Sequence, residues 1–266
     1  MSRNIGRFAL FLAAVLGATA VQAKIVTRTI DYEQGGEKLQ GYLAYDDAKS
    51  GPRPGVLVVH EWCGLNDYIT HRAEQLARMG YVAFAADMYG GAKVTRDANE
   101  AQAWMTAAVQ APGLLAARSK AGLDILRRQP QTDKKHLAAI GFCFGGGTVL
   151  QLAYSGEPLD GVVSFHGSLS PPDDTQAKQI RSSIVILHGA EDGFVKPETI
   201  DAVRKSLDAA KVDWYMVSYA NAVHAFTNPD AGSYHLPGIA YNEKAAKRSW
   251  EEMQRFFNEK FQRPSR

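Results

Sequence analysis

The five residues Gly141-Phe142-Cys143-Phe144-Gly145 constrain the fold of this chain more than any other segment. An apolar run ends just before them and small and apolar residues follow, so the pattern predicts a strand, a sharp turn and a helix. Glycine suits the two flanking positions, because a side chain at either would collide with the neighbouring element. The pattern is typical of a nucleophile elbow that carries cysteine. A buried structural cysteine is the alternative interpretation.

Single residues exclude three other motifs that parts of the sequence resemble. A Walker loop requires lysine where the chain has Gly147, and a dinucleotide-binding GxGxxG motif requires glycine where it has Cys143. His60-Glu61 does not begin a zinc-protease HExxH motif, because Gly64 occupies the second histidine position. We therefore expect neither a bound metal nor a cofactor.

Two later loops supply an acid and a histidine in the order expected after such a nucleophile. The apolar run 184–187 predicts a strand that leads to Glu191 and Asp192, and the alternating run 214–219 predicts one that leads to His224. Loops that follow parallel strands meet at one edge of a sheet, so these residues can converge. His166 and His188 also follow predicted strands, although such histidines are more often held by local hydrogen bonds.

The rest of the chain alternates predicted strands and helices. Residues 25–45 have the pattern of an antiparallel hairpin with Gly35-Gly36 at its turn. Strands are predicted at 55–60, 81–86, 137–140, 161–165, 184–187 and 214–219, and helices at 67–79, 97–109, 114–129, 146–153, 197–210 and 241–261. This alternation predicts an α/β fold, with a doubly wound, mostly parallel sheet in a single domain of residues 24–266. No segment is long enough for a large lid domain.

The first 23 residues have the features of a secretory signal peptide. Arg3 and Arg7 precede the apolar run 8–16, and Val21-Gln22-Ala23 resembles a cleavage site. Cleavage after Ala23 predicts an exported, periplasmic protein with no membrane segment, and a retained N-terminal anchor is the alternative.

The predicted mature chain has no net charge. The full chain has 30 Lys and Arg against 28 Asp and Glu, and cleavage removes two arginines, which leaves 28 of each sign. We therefore expect no nucleic-acid partner, and we expect a monomer. Only two cysteines, Cys63 and Cys143, are present, too few for a disulfide scaffold.

Five segments resemble the dienelactone hydrolase family of the α/β-hydrolase superfamily, and the resemblance covers most of the mature chain. They are Val58-Val59-His60-Glu61-Trp62-Cys63-Gly64-Leu65-Asn66, Ala86-Asp87-Met88-Tyr89, Gly141-Phe142-Cys143-Phe144-Gly145-Gly146, His188-Gly189-Ala190-Glu191-Asp192 and His224-Ala225-Phe226. The resemblance implies the α/β-hydrolase fold and a hydrolase that acts on small-molecule esters or lactones.

The resemblance also implies roles for particular residues. Cys143 would be the nucleophile, His224 its base and Asp192 the acid that orients the histidine, with Glu191 as the alternative acid. Glu61 falls where the family has a glutamate beside its cysteine, and there it would disfavour a thiolate until substrate binds. A charged residue on a solvated loop is the alternative for Glu61.

Two further expectations concern the surroundings of the nucleophile. The backbone amides of Trp62 and Phe144 are the candidates for an oxyanion hole, because both loops border the elbow. Well-studied lactonases of the family hold the substrate carboxylate with two arginines. This chain has Gly90-Gly91-Ala92 and Thr227-Asn228 at those places. The resemblance therefore supports the reaction type but not a dienelactone as substrate.

Two other functions remain open at this point. Cys63 lies on a loop expected to border Cys143, so the pair could form a disulfide with a redox function. The chain could also be a binding protein on a hydrolase scaffold, because a fold does not guarantee its activity.

Overall fold

The computed structural model describes residues 24–261, so the predicted signal peptide of residues 1–23 lies outside the described residues. The described part contains an eight-stranded sheet in the order β1-β2-β4-β3-β5-β6-β7-β8. The strands are β1 Ile25–Gln34, β2 Glu37–Asp46, β3 Arg53–Val59, β4 Val82–Ala86, β5 Thr132–Phe142, β6 Gly161–Phe165, β7 Ser183–Gly189 and β8 Trp214–Tyr219.

Strand direction follows the sequence pattern. The hairpin strands β1 and β2 are antiparallel, and β2 joins β4 in antiparallel pairing. All pairs from β4 through β3, β5, β6 and β7 to β8 are parallel. The continuous apolar runs in β3 and β4 match strands covered on both faces. The predicted α/β-hydrolase architecture, with its antiparallel N-terminal hairpin, is confirmed.

Seven helices cover the two faces of the sheet in the described part of the chain. They are α1 Asp67–Met79, α2 Ala98–Gln110, α3 Leu114–Arg128, α4 Phe144–Tyr154, α5 Asp174–Gln179, α6 Pro197–Ala209 and α7 Glu243–Phe261. Buried residues of α2, α3, α4 and α6 contribute to one apolar core, and those of α1 and α7 contribute to the other. Alternate residues of the central strands point into opposite cores, as the pleat requires.

Local signals account for the ends of α1. The Asn66 side chain accepts a hydrogen bond from the Ile69 N–H at the start of the helix. Gly80 ends the helix at φ 100°, a left-handed conformation that favours glycine.

None of the helices within residues 24–261 combines the length and apolarity that a membrane crossing requires.

The structure differs from the predicted elements in a few places. The short helix α5 and the 3₁₀ turn Ala231–Tyr234 were not predicted. Strand β5 begins at Thr132, several residues before its apolar part, because its first residues pair with the start of β3 ahead of a register shift. The other helix and strand ends lie within a few residues of the predicted bounds.

Candidate active site

Cys143 lies on a sharp turn between β5 and α4, at φ 54° and ψ −117°. A positive φ is uncommon for a residue other than glycine and indicates a strained backbone. A Cβ atom on Gly141 would lie 2.0 Å from the Gly145 carbonyl oxygen, and one on Gly145 would lie 2.3 Å from that of Val59. Both glycines are therefore required by close backbone packing, and the predicted elbow geometry is confirmed.

Three predicted site residues from separate loops make direct contact. The Nε2 atom of His224 lies 3.0 Å from Cys143 Sγ, and its Nδ1 atom lies 2.8 Å from Asp192 Oδ2. All three residues are at least nine-tenths buried. Cys143 follows β5, Asp192 lies on the loop after β7 and His224 on the loop after β8, so the carboxyl edge of the sheet brings them together.

The surroundings of His224 favour the protonated form of its imidazole. Burial alone lowers the pKa of His224, but the charge of Cys143 and the hydrogen bonds to Asp192 and Cys143 together raise this pKa well above its usual value. The raised pKa of His224 favours an imidazolium beside the sulfur.

The structure distinguishes between the two acids on the loop after β7. Asp192 is buried, and its Oδ1 atom accepts a hydrogen bond from the Phe194 N–H at 3.0 Å while Oδ2 contacts His224. Glu191 is exposed. Of the two acids, Asp192 is therefore the one whose carboxylate contacts the imidazole.

Glu61 is buried beside the same cavity as Cys143 and His224. Burial raises the pKa of Glu61 to about 7, although the hydrogen bond from Asn228 Nδ2 to Glu61 Oε2, at 2.6 Å, partly opposes the rise. The interpretation of Glu61 as a residue on a solvated loop is therefore wrong. Asn228 stands where the resemblance would place an arginine, and its side chain binds this glutamate instead.

His166 is hydrogen-bonded to the backbone of the elbow, a role that the sequence did not indicate. Its Nδ1 atom accepts a hydrogen bond from the Cys143 N–H at 3.1 Å, and its Nε2 atom lies 2.6 Å from Thr227 Oγ1. Burial, and then the charge of His224, lower the pKa of His166 well below its usual value, so the ring is neutral. Because Nδ1 accepts, the ring proton is on Nε2 and is donated to Thr227. Thr227 Oγ1 in turn contacts the Tyr68 hydroxyl at 2.6 Å.

His188 lies at the end of β7 and does not belong to this network. Its Nδ1 atom is buried and has no hydrogen-bond partner among residues 24–261, so the expectation of a locally satisfied ring is wrong for that atom. Burial lowers the pKa of His188, which keeps the ring neutral.

A cavity of about 310 Å³ opens onto the sulfur of Cys143. Apolar and aromatic side chains form most of its wall, and none of the described residues that line it is lysine or arginine. Trp62 is one of the lining residues, and Phe144 is the first residue of α4, so the Phe144 N–H has no acceptor within the helix. Of the two candidates for the oxyanion hole, Trp62 lines the cavity, and Phe144 directly follows Cys143, which also lines it.

Cys63 is a buried, free thiol. Burial raises the pKa of Cys63 to about 11, and its side chain is hydrogen-bonded to Tyr234. Cys143 is also free, so no disulfide joins the two. Within residues 24–261, no group of three or more His, Cys, Asp and Glu side chains is arranged to hold a metal ion.

Comparisons with known proteins find matches over most of the chain. The family model described as "Dienelactone hydrolase family" matches residues 39–261. A relative from Yersinia pestis, named "Putative carboxymethylenebutenolidase", is 29% identical and aligns with 84% of this chain and 85% of its own length.

Solved structures give the same result. A dienelactone hydrolase-like promiscuous phosphotriesterase from metagenomic libraries is 44% identical, with a TM-score of 0.87 over 90% of this chain and 99% of that chain. A protein from Klebsiella pneumoniae, named "Putative Dienelactone Hydrolase", is 26% identical, with a TM-score of 0.74 over 88% of this chain and 98% of that chain.

Proposed function

The chain belongs to the dienelactone hydrolase family and is a carboxylic ester or lactone hydrolase, and we propose that it acts through an acyl-thioester on Cys143. One observation carries the proposal: His224 contacts the sulfur at 3.0 Å through one ring nitrogen and Asp192 at 2.8 Å through the other. This arrangement orients a base toward a nucleophile, as nucleophilic catalysis requires.

In the first half of the proposed reaction, the Cys143 thiolate attacks the carbonyl carbon of the ester. The carbonyl electrons move to oxygen, and the backbone N–H groups of Trp62 and Phe144 are the proposed donors to that oxyanion. The tetrahedral intermediate collapses when the C–O bond to the leaving group breaks. The protonated His224 donates its proton to the departing alkoxide, which leaves as an alcohol.

In the second half, water cleaves the thioester. Neutral His224 accepts a proton from the water while the water oxygen attacks the acyl carbon. The C–S bond breaks and a carboxylic acid is released, with the proton of His224 available to re-form the resting pair. Asp192 keeps the imidazole in one orientation throughout both halves.

We propose that Glu61 tunes the charge of the nucleophile. A carboxylate that lines the same cavity as Cys143 disfavours a thiolate when it is ionised. The Glu61→Gln variant is therefore expected to react faster with iodoacetamide at pH 8 than the wild-type protein. An unchanged alkylation rate together with unchanged turnover would remove this role.

The proposed substrates are small and uncharged. A substrate carboxylate would need a cationic partner, and no lysine or arginine is among the described residues that line the cavity. The lining favours neutral esters and lactones, and it offers no counterion to the carboxylate of a dienelactone.

Trapping the intermediate tests the mechanism. Rapid mixing with p-nitrophenyl acetate, acid quenching and mass spectrometry should detect one acetyl group on the peptide that contains Cys143. The Cys143→Ala variant should lose both the adduct and the turnover, and Cys63→Ala, the matched control at the other cysteine, should retain both. Turnover in Cys143→Ala would refute the mechanism. Activity that appears only after reduction would favour the redox alternative, and no activity in any variant would favour a binding protein.

A second candidate reaction is phosphotriester hydrolysis. The same neutral lining would accept an uncharged phosphotriester, and a 44% identical relative is named a promiscuous phosphotriesterase. Paraoxon hydrolysis that is lost in Cys143→Ala would support this activity, and hydrolysis that persists in that variant would exclude Cys143 from it.

We also propose that the mature protein begins at Lys24 and acts in the periplasm. The charged, apolar and small-residue segments of residues 1–23 support export. N-terminal sequencing of protein from the periplasmic fraction of an expressing bacterium tests this, and an intact Met1 would contradict it.

A further inference from the structure

A second cavity of about 810 Å³ adjoins the catalytic cavity, and Met105 and Ser168 line both. We propose that this second cavity, which we term the acyl groove, binds the acyl chain of the substrate, and that the preferred substrates are esters of medium-length aliphatic acids. The inference rests on the proposed function and specifies its substrate class. Met105 and Ser168 therefore lie at the boundary between the two cavities.

The chemistry of the groove wall fits a hydrocarbon chain. None of the described residues that line it is charged. Its apolar side chains include Leu115 and Val109, and Val109 is 56% exposed. An aliphatic chain would cover this apolar surface, and removing apolar surface from water favours binding.

Several polar side chains of the wall already have partners within the protein. Thr148 Oγ1 donates to the Phe144 carbonyl oxygen at 2.9 Å. Gln151 Nε2 donates to Ser170 Oγ at 3.1 Å, and the Tyr154 hydroxyl donates to the Ser170 carbonyl oxygen at 3.3 Å. A hydrocarbon chain in the groove would therefore leave these hydrogen bonds intact, so little is lost by excluding water.

The position of the groove assigns it to the acyl part of the ester rather than to the leaving group. The leaving oxygen takes its proton from His224, so the leaving group lies on the side of the cavity where that residue is found. No residue of the His224 loop lines the groove, whereas Phe144, which directly follows the nucleophile, does. In this proposal, a chain attached to the carbonyl carbon on Cys143 crosses the boundary at Met105 and Ser168 to enter the groove.

The volumes of the two cavities support the same assignment. The catalytic cavity, at about 310 Å³, is at the lower end of small-molecule sites, which span roughly 300–1,000 Å³. The adjoining 810 Å³ provides room for a chain that the catalytic cavity alone could not enclose.

A series of p-nitrophenyl esters tests the inference, because the leaving group stays constant while the acyl chain grows from acetate to octanoate. Each buried methylene is expected to raise kcat/KM about fourfold. With only part of the chain buried, octanoate should exceed acetate by at least roughly tenfold. The Ala116→Phe variant should lose most of this gain, because Ala116 lines the groove but not the catalytic cavity.

The matched control is Ala107→Phe, the same substitution at an exposed position of α2 that lines neither cavity. It should keep the full preference for octanoate. Acetate turnover with no gain in the wild-type protein for longer chains would overturn the acyl groove and leave the proposed function standing. A gain that Ala116→Phe and Ala107→Phe retain equally would also overturn it.

Binding of octanamide to the Cys143→Ala variant, measured by calorimetry, distinguishes failure of the acyl groove from failure of the proposed function. Saturable binding that the additional Ala116→Phe substitution abolishes would support the groove even if no ester were hydrolysed, in which case only the proposed function fails. Absence of binding would overturn the groove. A groove covered by a second copy of the chain would instead give a dimer that Ala116→Phe dissociates, with no preference for longer chains, and this result would also overturn the inference.

Discussion

Replacing Glu61 by glutamine is expected to stabilise the protein, and to do so more at pH 8 than at pH 5. Glu61 is 2% exposed, and burial raises its pKa from 4.5 to about 7. The unfolded chain therefore loses this proton at a lower pH than the folded protein does. Folding stability falls as the pH rises through this interval, because the folded state must then either retain the proton or bury a charge.

The two pKa values give the magnitude. At pH 8 the raised pKa costs roughly 3 kcal/mol of folding free energy, and at pH 5 it costs about 1 kcal/mol. Glutamine carries no charge at either pH, and its side-chain oxygen can still accept the hydrogen bond from Asn228. The benefit of Glu61→Gln should therefore be about 2 kcal/mol larger at pH 8. For a chain of this size, that corresponds to a further rise in Tm of roughly 4–8 °C.

Thermal denaturation of wild-type protein and variant at both pH values measures this difference. Glu191→Gln is the matched control, since it removes a carboxylate from an exposed position and should change Tm equally little at pH 5 and pH 8. If the Glu61→Gln shift in Tm were the same at both pH values, or if the variant were less stable at pH 8, the argument from a buried carboxyl group would be refuted.

Three further predictions concern the residues around Cys143. Asp192→Asn should lower kcat on the order of 10³–10⁴-fold, because the imidazole loses its orienting acceptor. Glu191→Gln should leave kcat unchanged, and equal losses in the two variants would contradict the assignment of the acid. Cys63→Ala should retain wild-type turnover with and without reductant, because Cys63 is free and its thiol pKa is about 11; a reductant effect abolished by this substitution would contradict it. His166→Phe should cost about 1–3 kcal/mol in chemical denaturation, because it removes the buried hydrogen bonds that His166 makes with the Cys143 N–H and with Thr227. It should also lower kcat more than it raises KM. If both stability and kcat were unchanged, His166 would not be needed to hold the elbow in place.

The elbow and the order of the contacting residues could be predicted because their signals are local. Close backbone packing requires glycine at 141 and 145, and this requirement leaves a mark in five consecutive residues. Parallel strands end at one edge of the sheet, so Asp192 and His224 could be placed near Cys143 without knowledge of their contacts. The alternation of strands and helices likewise predicted a mostly parallel sheet.

The hydrogen bonds that hold the site residues in place could not be predicted, because they join distant parts of the chain. His166 and Thr227 are 61 residues apart, and Glu61 and Asn228 are 167 residues apart. No periodicity relates such pairs. The short helix α5 did have a local signal, since Asp173 and Gln176 form a capping box, but its six residues contain too little apolar pattern to reveal it.

At most of the positions where the resemblance would put arginines, the structure disfavours that residue. Gly90 has φ 86°, a left-handed conformation, so a side chain at this position is strained. Gly91 also has a positive φ, of 63°. At the other place, Thr227 contacts His166 and Asn228 contacts Glu61. An arginine there would remove a contact that supports the elbow or the buried glutamate.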